Sequence, residues 1–300
     1  MNNFDDIFAA SSAPSGQTGP EQPFDVNAWA EKKQAERKSV YELADKTAQE
    51  VTADGGKFRS YLDVQARFGR YSATNALLIY AQMPLATQLR DFDGWKNLGV
   101  SIKKQQKGIS ILEPGKEYAR DDGSVGVSYD VKKVFDVSQT TSRTQVQQPV
   151  QTDERTLLRA LIHNPPVFLQ TVDELPDGKG ALYDSAKQMI SVRRRMDAPS
   201  IFRSVSLELA HAEWDFAHES YDRASAAFPA FCISYLLCRK NGVDVSSYRF
   251  DALPEDFKAK DAQSIRTTLS EIRDTAEKIS TKMYRATEQM KAAKSKEQER

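Results

Sequence analysis

One short segment of the sequence carries residue types that hydrolytic zinc enzymes use. Residues 206–213 read SLELAHAE. In a zinc peptidase helix, two His residues at positions one and five face the metal, and Glu at position two is the base for the bound water. Glu208 and His211 hold positions two and five here, but Leu207 stands at position one. The motif therefore lacks one metal ligand.

The same segment continues with further polar residues on one helical face. Glu208, His211, Asp215 and His218 follow each other at spacings of three, four and three residues, so that they share a face. They form either an unusual metal stripe or a solvated face on which His218 caps the helix. We expect no catalytic residue and no cofactor. The alternative is zinc on His211, Asp215 and His218, with Glu208 as the base.

A strongly basic segment lies elsewhere in a chain that is neutral overall, with 42 Lys and Arg against 42 Asp and Glu. Between Lys57 and Leu112, nine basic residues face only three acidic ones. Such a cluster binds phosphates by releasing counterions, and interleaved aromatic rings stack on unpaired bases. The aromatic residues of the segment are Tyr71, Tyr80, Phe92 and Trp95 among others. A basic solvated face over a core with aromatic residues has the same composition, so composition leaves both possibilities open.

The order of motifs favours binding. Four motifs stand in sequence: RYSATNALLI at 70–79, FDGWKNLG at 92–99, IKKQQKGI at 102–109 and VFDVSQT at 134–140. They closely resemble the N-terminal domain of the ArdC antirestriction family, over roughly residues 40 to 140. This resemblance implies a single-stranded-DNA-binding domain, as found in proteins of conjugative plasmids and transposons that shield incoming DNA in the recipient.

The resemblance also implies which residues contact DNA. It places Arg70, Tyr71, Ser72 and Asn75 at the start of a DNA-binding helix and Trp95 on the turn that follows. It also implies that a lysine hairpin at 103–107 contacts the DNA backbone. For Trp95, a place in the core and a stacking role are equally compatible with the sequence. Ala73 replaces the bulky residue usual in the family. The full expected set is Arg67, Arg70, Tyr71, Ser72, Asn75, Trp95, Lys96, Lys103, Lys104 and Lys107.

The second half resembles the zincin-like metallopeptidase domain that follows this module in many ArdC-like proteins. The matching segments are 181–184, 189–192 and 234–244. The second helix of that domain normally carries an acidic metal ligand, yet no Asp or Glu stands between Asp222 and Asp244. Because two of three expected ligands are missing, we expect a peptidase scaffold without peptidase activity.

The elements needed to position these residues follow from periodicity and turn signals. Helices are predicted at 26–52, 58–68, 153–162, 199–217 and 220–241, and Ser72 is a plausible cap for the run that Met83-Pro84 ends. Short apolar groups from Trp95 to Val137 predict a small, mostly antiparallel sheet. The fold class is α+β. We expect a disordered leader at 1–25, a DNA-binding domain at 26–140, a linker at 141–153, a degenerate zincin-like domain at 154–254 and a charged helix at 255–300.

The charged C-terminal segment contains a heptad seam. Its members are Ile265, Leu269, Ile272, Ala276, Ile279, Met283, Ala286 and Met290. The seam belongs either to an intermolecular coiled coil or to a helix that packs back on the body. A transfer or anti-defence protein captured through residues 255–300 is therefore a possible partner besides single-stranded DNA.

Other features of the sequence argue against several classes of protein. Cys232 and Cys238 lie six residues apart in an apolar stretch, which fits buried thiols in a reducing compartment and not a CxxC pair. The sequence has no GxxxxGK loop, no GxGxxG after a strand and no nucleophile elbow. No run of about eighteen apolar residues indicates a membrane span. We expect a bacterial cytoplasmic, non-catalytic protein of a mobile element, active in conjugation.

Overall fold

The computed structural model describes residues 25–119, 123–142 and 153–298. Almost all of the expected leader and linker lies outside these ranges. The chain divides into two compact units, Met1–Glu36 and Arg37–Arg300. In the first unit, the described residues 25–36 begin helix α1 (Val26–Thr52), which continues into the second unit. The Asp25 carboxylate accepts the Asn27 and Ala28 N–H groups at 2.9 and 3.1 Å, and so caps this helix.

Three helices open the second unit, and each boundary has a local cause. Helix α1 ends at Thr52, before helix α2 (Gly55–Arg67), whose cap Asp54 accepts the Lys57 N–H at 2.7 Å. Ser72 caps helix α3 (Ala73–Gln82) through the Asn75 N–H at 3.2 Å. This confirms the cap that the sequence predicts. Buried residues of all three helices lie in one large apolar core, and Val40 and Ala44 of α1 pack with Leu78 of α3 in a second, smaller cluster.

The first sheet has the order β1-β3-β2 and is antiparallel. Its strands are β1 (Leu89–Arg90), β2 (Ile109–Ala119) and β3 (Val125–Asp136). Strands β2 and β3 pair from Ile109 opposite Val134 outward to Ala119 opposite Val125, with an irregularity between Pro114 and Glu117. The antiparallel sheet confirms the prediction. Trp95, however, does not lie in a strand but in a short helix, α4 (Phe92–Lys96).

The second sheet is mixed and lies beside two long helices. Helix α5 (Glu154–Leu161) precedes β4 (Phe168–Val172), β5 (Ala181–Asp184) and β6 (Met189–Arg193). The order is β4-β6-β5, with β4 parallel and β5 antiparallel to β6. Helices α6 (Ala198–Ala217) and α7 (Arg223–Lys240) follow, and α7 ends at Asn241 and Gly242. Both cysteines are buried free thiols. Burial raises the pKa of each thiol.

The C-terminal helix packs on the rest of the unit. After helix α8 (Glu255–Lys258), helix α9 (Ala262–Gln298) places its seam from Ile265 to Ala286 in the core, with Met290 at the edge. The same core also contains residues of both predicted domains, such as Phe58 and Tyr235. The two domains expected from the sequence therefore share one hydrophobic core in this unit. Of the two readings of the heptad seam, intramolecular packing is the one this structure shows.

The combination of segregated helices and two small sheets is the α+β class that the sequence predicts. Within the described residues, no helix is both long enough and apolar enough to cross a membrane.

Candidate nucleic-acid interface

The three lysines predicted to contact a nucleic-acid backbone lie on a loop between α4 and β2, and hydrogen bonds to Gln139 hold this loop in place. The Lys103 N–H donates to the Gln139 carbonyl at 2.9 Å, and the Gln139 side-chain amide donates to the Lys107 carbonyl at 2.8 Å. Lys103, Lys104 and Lys107 are exposed. The loop is not the hairpin expected from the sequence. Ile102 forms a bridge to Thr140, whereas β2 pairs with β3 only from Ile109 onward.

The buried carboxylate of Asp136 organises the backbone around this loop. It accepts the N–H groups of Thr87, Gln88 and Ser138 at 2.7, 2.9 and 2.9 Å. Burial opposes ionisation of Asp136, but the hydrogen bonds to Ser138, Gln88 and Thr87 outweigh it and lower the pKa. The Ser138 carbonyl in turn accepts the Lys103 ammonium at 2.9 Å. A charged, fully bonded Asp136 therefore fixes the strand ends from which the lysine loop projects.

Helix α4 presents an aromatic side chain next to basic residues. Phe92 is 58% exposed, and Lys96 on the same short helix is also exposed. The Arg90 guanidinium lies over the Trp95 ring, 5.8 Å from its centroid, as a cation–π pair. Of the four aromatic residues that the sequence suggests for stacking, Phe92 is the one whose ring is mostly exposed.

Trp95 and Asn75 are buried, and this corrects their expected roles. Trp95 is 2% exposed, and its Nε1–H donates to the Phe135 carbonyl at 2.9 Å. The Asn75 amide donates to the Leu112 carbonyl and accepts the Leu112 N–H, both at 2.8 Å. The polar atoms of both side chains are thus hydrogen-bonded to the backbone of β2 or β3 and do not face a ligand. A base cannot stack on Trp95 in this arrangement, and Asn75 joins α3 to β2.

The remaining expected residues surround the start of α3. Arg67 and Arg70 are exposed, whereas Tyr71 is half-buried with its ring edge-on to Phe68 at 5.8 Å. Burial raises the pKa of Tyr71. Ser72 uses its hydroxyl as the helix cap. The guanidinium groups are thus the parts of this segment that are best placed to meet a phosphate.

Helix α6 places Glu208 in a closed ion pair with Arg223 of α7. Glu208 is 2% exposed, and both its oxygens bind Arg223, at 2.7 and 2.9 Å. The Tyr183 N–H also donates to it, at 2.8 Å. A bidentate pair with a guanidinium group holds a carboxylate in a fixed orientation. It cannot approach and activate a water molecule without first breaking this pair.

His211 and its neighbours also have protein partners. The His211 Nδ1 and the Tyr221 hydroxyl share a hydrogen bond at 3.0 Å, and burial, followed by repulsion from Arg223, lowers the pKa of His211 to about 4. Asp215 accepts the Tyr183 hydroxyl at 2.6 Å. His218 stacks on Trp214 at 4.5 Å and ends α6, the capping role that the sequence suggests.

These contacts occupy the polar atoms on which the alternative metal stripe depends, in the part of the chain that the structure describes. There, no three His, Cys, Asp or Glu side chains come together as a possible metal site. Arg223, Tyr183 and Tyr221, which hold the polar face of α6, were not expected from the sequence. The signal was weak, because Arg223 is a single arginine at the start of another helix and no motif marks it.

Comparison with known proteins gives structural neighbours only. No family model matches the sequence, and no curated protein matches it. The structure is similar to the metal-free crystal structure of the antirestriction ArdC protein from plasmid R388, with a TM-score of 0.48 and 15% identity, covering 73% of this chain and 86% of that one. The Mn(II)-bound structure of the same protein gives a TM-score of 0.48 and 14% identity, covering 72% and 85%. In structure, the chain is thus similar to a plasmid antirestriction protein.

Proposed function

We propose that this protein binds single-stranded DNA without sequence preference, through the lysine loop at 103–107 together with Phe92 and Lys96 on α4. The observation that carries the proposal is the projection of three exposed lysines from a loop that Gln139 and Asp136 hold in place. Positive charge on a preformed loop attracts phosphates, and an exposed ring supplies a stacking platform for an unpaired base.

The family resemblance of the sequence motifs supports the biological setting. A protein of a mobile genetic element that coats or escorts single-stranded DNA protects that DNA during conjugative transfer, which is an antirestriction-like role. A bacterial cytoplasmic location belongs to the same proposal. Transfer or anti-defence proteins remain candidate partners through residues 255–300, although the seam of α9 is buried and only its solvent face is left for them.

We also propose that the zincin-like part has no peptidase activity. The bidentate pair of Glu208 with Arg223 supports this, because the residue at the position of the catalytic base already has a permanent cationic partner. The rival function is a metal-dependent peptidase with Glu208 as base. Metal analysis of the purified protein separates the two. Zinc near one equivalent, lost in His211→Ala, would establish the rival.

The DNA proposal is tested by fluorescence anisotropy with a labelled mixed-sequence single strand and its duplex. Replacing Lys103, Lys104 and Lys107 by Ala should weaken single-strand binding at least about tenfold at low salt, because three phosphate contacts are lost. The matched control replaces Lys46, Lys187 and Lys258, exposed lysines with local ion-pair partners on other elements. It changes net charge equally and should bind as the wild type does. Equal losses in both variants, or equal binding to both DNA forms, would reject the proposed site.

A further inference from the structure

A second group of positive charges lies where helix α2 meets helix α7. On α2, Arg59, Asp63 and Arg67 follow one another at intervals of four residues and so share one face. Arg239 of α7 donates from Nε to the Asp63 carboxylate at 2.8 Å. The hydroxyl of Tyr235, also on α7, donates to the same oxygen at 2.8 Å. One carboxylate thus stands among several cationic groups.

Asp63 pairs directly with Arg239, and two further guanidinium groups, those of Arg59 and Arg67, lie in its field. Arg59 contacts Tyr235 through Nε at 3.4 Å and lies in the field of Asp63. Asp63 and Arg239 both act electrostatically on Arg67. Three positive charges therefore face Asp63 within the cluster and Asp136 beside Arg67, and an excess of positive charge remains. Burial and the hydrogen bond to Asp63 raise the pKa of Tyr235 to about 12, so its hydroxyl stays neutral and does not reduce this excess.

The guanidinium groups of Arg239 and Arg59 have N–H donors that make no hydrogen bond within the described part of the chain. Arg239 is half-exposed and gives only Nε to Asp63, whereas Arg59 gives only Nε to Tyr235. The terminal nitrogens of both side chains have no acceptor within the described part of the chain. Arg67 gives one terminal nitrogen to the Pro84 carbonyl. Planar guanidinium groups with free terminal nitrogens match the oxygens of a phosphate.

The cluster is connected to the lysine loop through short contacts. Arg67 binds the Pro84 carbonyl and lies in the field of Asp136. Asp136 holds Thr87 and Gln88, and it also holds Ser138, whose carbonyl accepts the Lys103 ammonium. The two basic groups are therefore joined through one stretch of backbone.

We infer that Arg59, Arg67 and Arg239 form a phosphate-binding seat that receives the backbone of the same single strand bound at the lysine loop. The inference rests on the proposed function for the source of the phosphate, and on the arginine cluster itself for the phosphate chemistry. Asp63 orients the seat and limits its strength, because its charge offsets part of the attraction. A free phosphate ion has the same chemistry, so the experiment includes both sources.

The test measures single-strand affinity and its salt dependence for two opposite charge changes. Arg239→Gln removes a phosphate donor, so affinity should fall about three- to tenfold at low salt and the salt slope should become shallower by ~0.7. Asp63→Asn removes the carboxylate that pairs with Arg239 while Tyr235 can still donate to the amide oxygen, so affinity should rise. A merely structural role for these residues predicts no gain in Asp63→Asn. Arg155→Gln, on α5, is the matched control and should change neither quantity.

A second measurement separates failure of the seat from failure of the proposed function. Thermal unfolding is followed in inorganic phosphate and in chloride of equal ionic strength. If wild type binds the single strand but Arg239→Gln and Asp63→Asn leave affinity unchanged, the seat is rejected and the lysine loop stands. If wild type binds no single strand, yet phosphate raises its Tm more than that of Arg239→Gln, the seat holds free phosphate and the proposed function falls. If wild type binds no single strand and phosphate raises the Tm of wild type and of Arg239→Gln equally, both the seat and the proposed function are rejected.

Discussion

Two aromatic residues three positions apart in the same short helix have opposite environments. Trp95 is 2% exposed and hydrogen-bonded to β3, whereas Phe92 is 58% exposed. The FDGWK motif contains both residues, but the sequence alone does not indicate which of the two rings is buried. That choice depends on the docking of α4 against β3, which is a tertiary contact.

We expect substitutions at these two positions to separate stability from binding. Trp95→Phe should lower the free energy of unfolding by about 1–3 kcal/mol, because it leaves a gap and a carbonyl without its donor, and DNA affinity of the folded protein should persist. Phe92→Ala should leave the unfolding midpoint nearly unchanged and weaken single-strand binding by about 1–3 kcal/mol. Phe168→Ala, at a ring 80% exposed on β4, is the control. Loss of binding in Phe168→Ala as large as in Phe92→Ala would contradict the assignment.

His211 makes the stability of the fold depend on pH. Its pKa is about 4 in the folded protein, because burial and Arg223 disfavour the charged form, against about 6.5 in an unfolded chain. The unfolded chain therefore binds a proton first as the pH falls, and the folded state loses stability between about pH 6.5 and about pH 4. The stabilisation is complete above this window.

The expected loss through His211 is at most about 3–4 kcal/mol across that window, of which about 2 kcal/mol falls between pH 7 and pH 5. It is measured as the difference in unfolding free energy between wild type and His211→Gln at pH 7 and pH 5. Gln does not titrate, so the variant lacks the contribution of position 211 and its stability should fall less. An identical fall in both proteins would show that the His211 side chain is not held neutral in the core.

At the scale of elements, helix α9 is tied to α6 through one buried carboxylate. Glu213 is 3% exposed and accepts Lys278 at 2.5 Å and Lys282 at 2.7 Å. Burial opposes ionisation of Glu213, but the hydrogen bonds to the two lysines prevail and lower its pKa. The sequence shows these residues only as charges in a charged helix, because nothing local marks which ones face a buried acid.

Removing the two sides of this contact should have unequal effects. Lys278→Ala with Lys282→Ala leaves a buried carboxylate without a partner and should cost about 3–5 kcal/mol. Glu213→Gln leaves two lysines that are already half-exposed, and should cost less. Chemical denaturation of both variants at pH 7 measures the difference. Equal costs would mean that Glu213 is not buried as the structure has it.

The helices themselves were largely predictable from local signals. The bounds of α1 agree with the periodicity of the sequence, and Ser72 caps α3 as its position suggests. The seam of α9 was equally clear as a pattern, but a pattern of apolar residues does not say whether its partner is in the same chain. Only the packing of Ile265, Leu269 and Ile272 in the core decides this.

That packing predicts how α9 responds to a charge in its seam. Leu269→Asp places a carboxylate among apolar core residues, so it should unfold the protein or lower its unfolding free energy by more than about 3 kcal/mol. Analytical ultracentrifugation of the folded wild type should show a particle of the size of a monomer. A folded variant that only dissociates from an oligomer would instead support the intermolecular coiled coil.

At the scale of the whole molecule, one core joins the two halves that the sequence separates into domains. Composition shifts and turn signals locate segments, yet they do not show that α2 lies on α7 or that α9 packs against both halves. The arginine cluster at the junction of α2 and α7 depends on this arrangement. The positive charge of a neutral chain is thereby concentrated at places that no local motif marks.

The salt dependence of single-strand affinity reports directly how many phosphates the protein contacts. If the strand is held by about four to six phosphate contacts, log affinity should fall with log salt with a slope of roughly −3 to −4, at ~0.7 per phosphate. The variant lacking Lys103, Lys104 and Lys107 should have a slope shallower by about 2, because three of these contacts are gone. A slope near zero, or one that the three substitutions leave unchanged, would contradict single-strand binding at this loop.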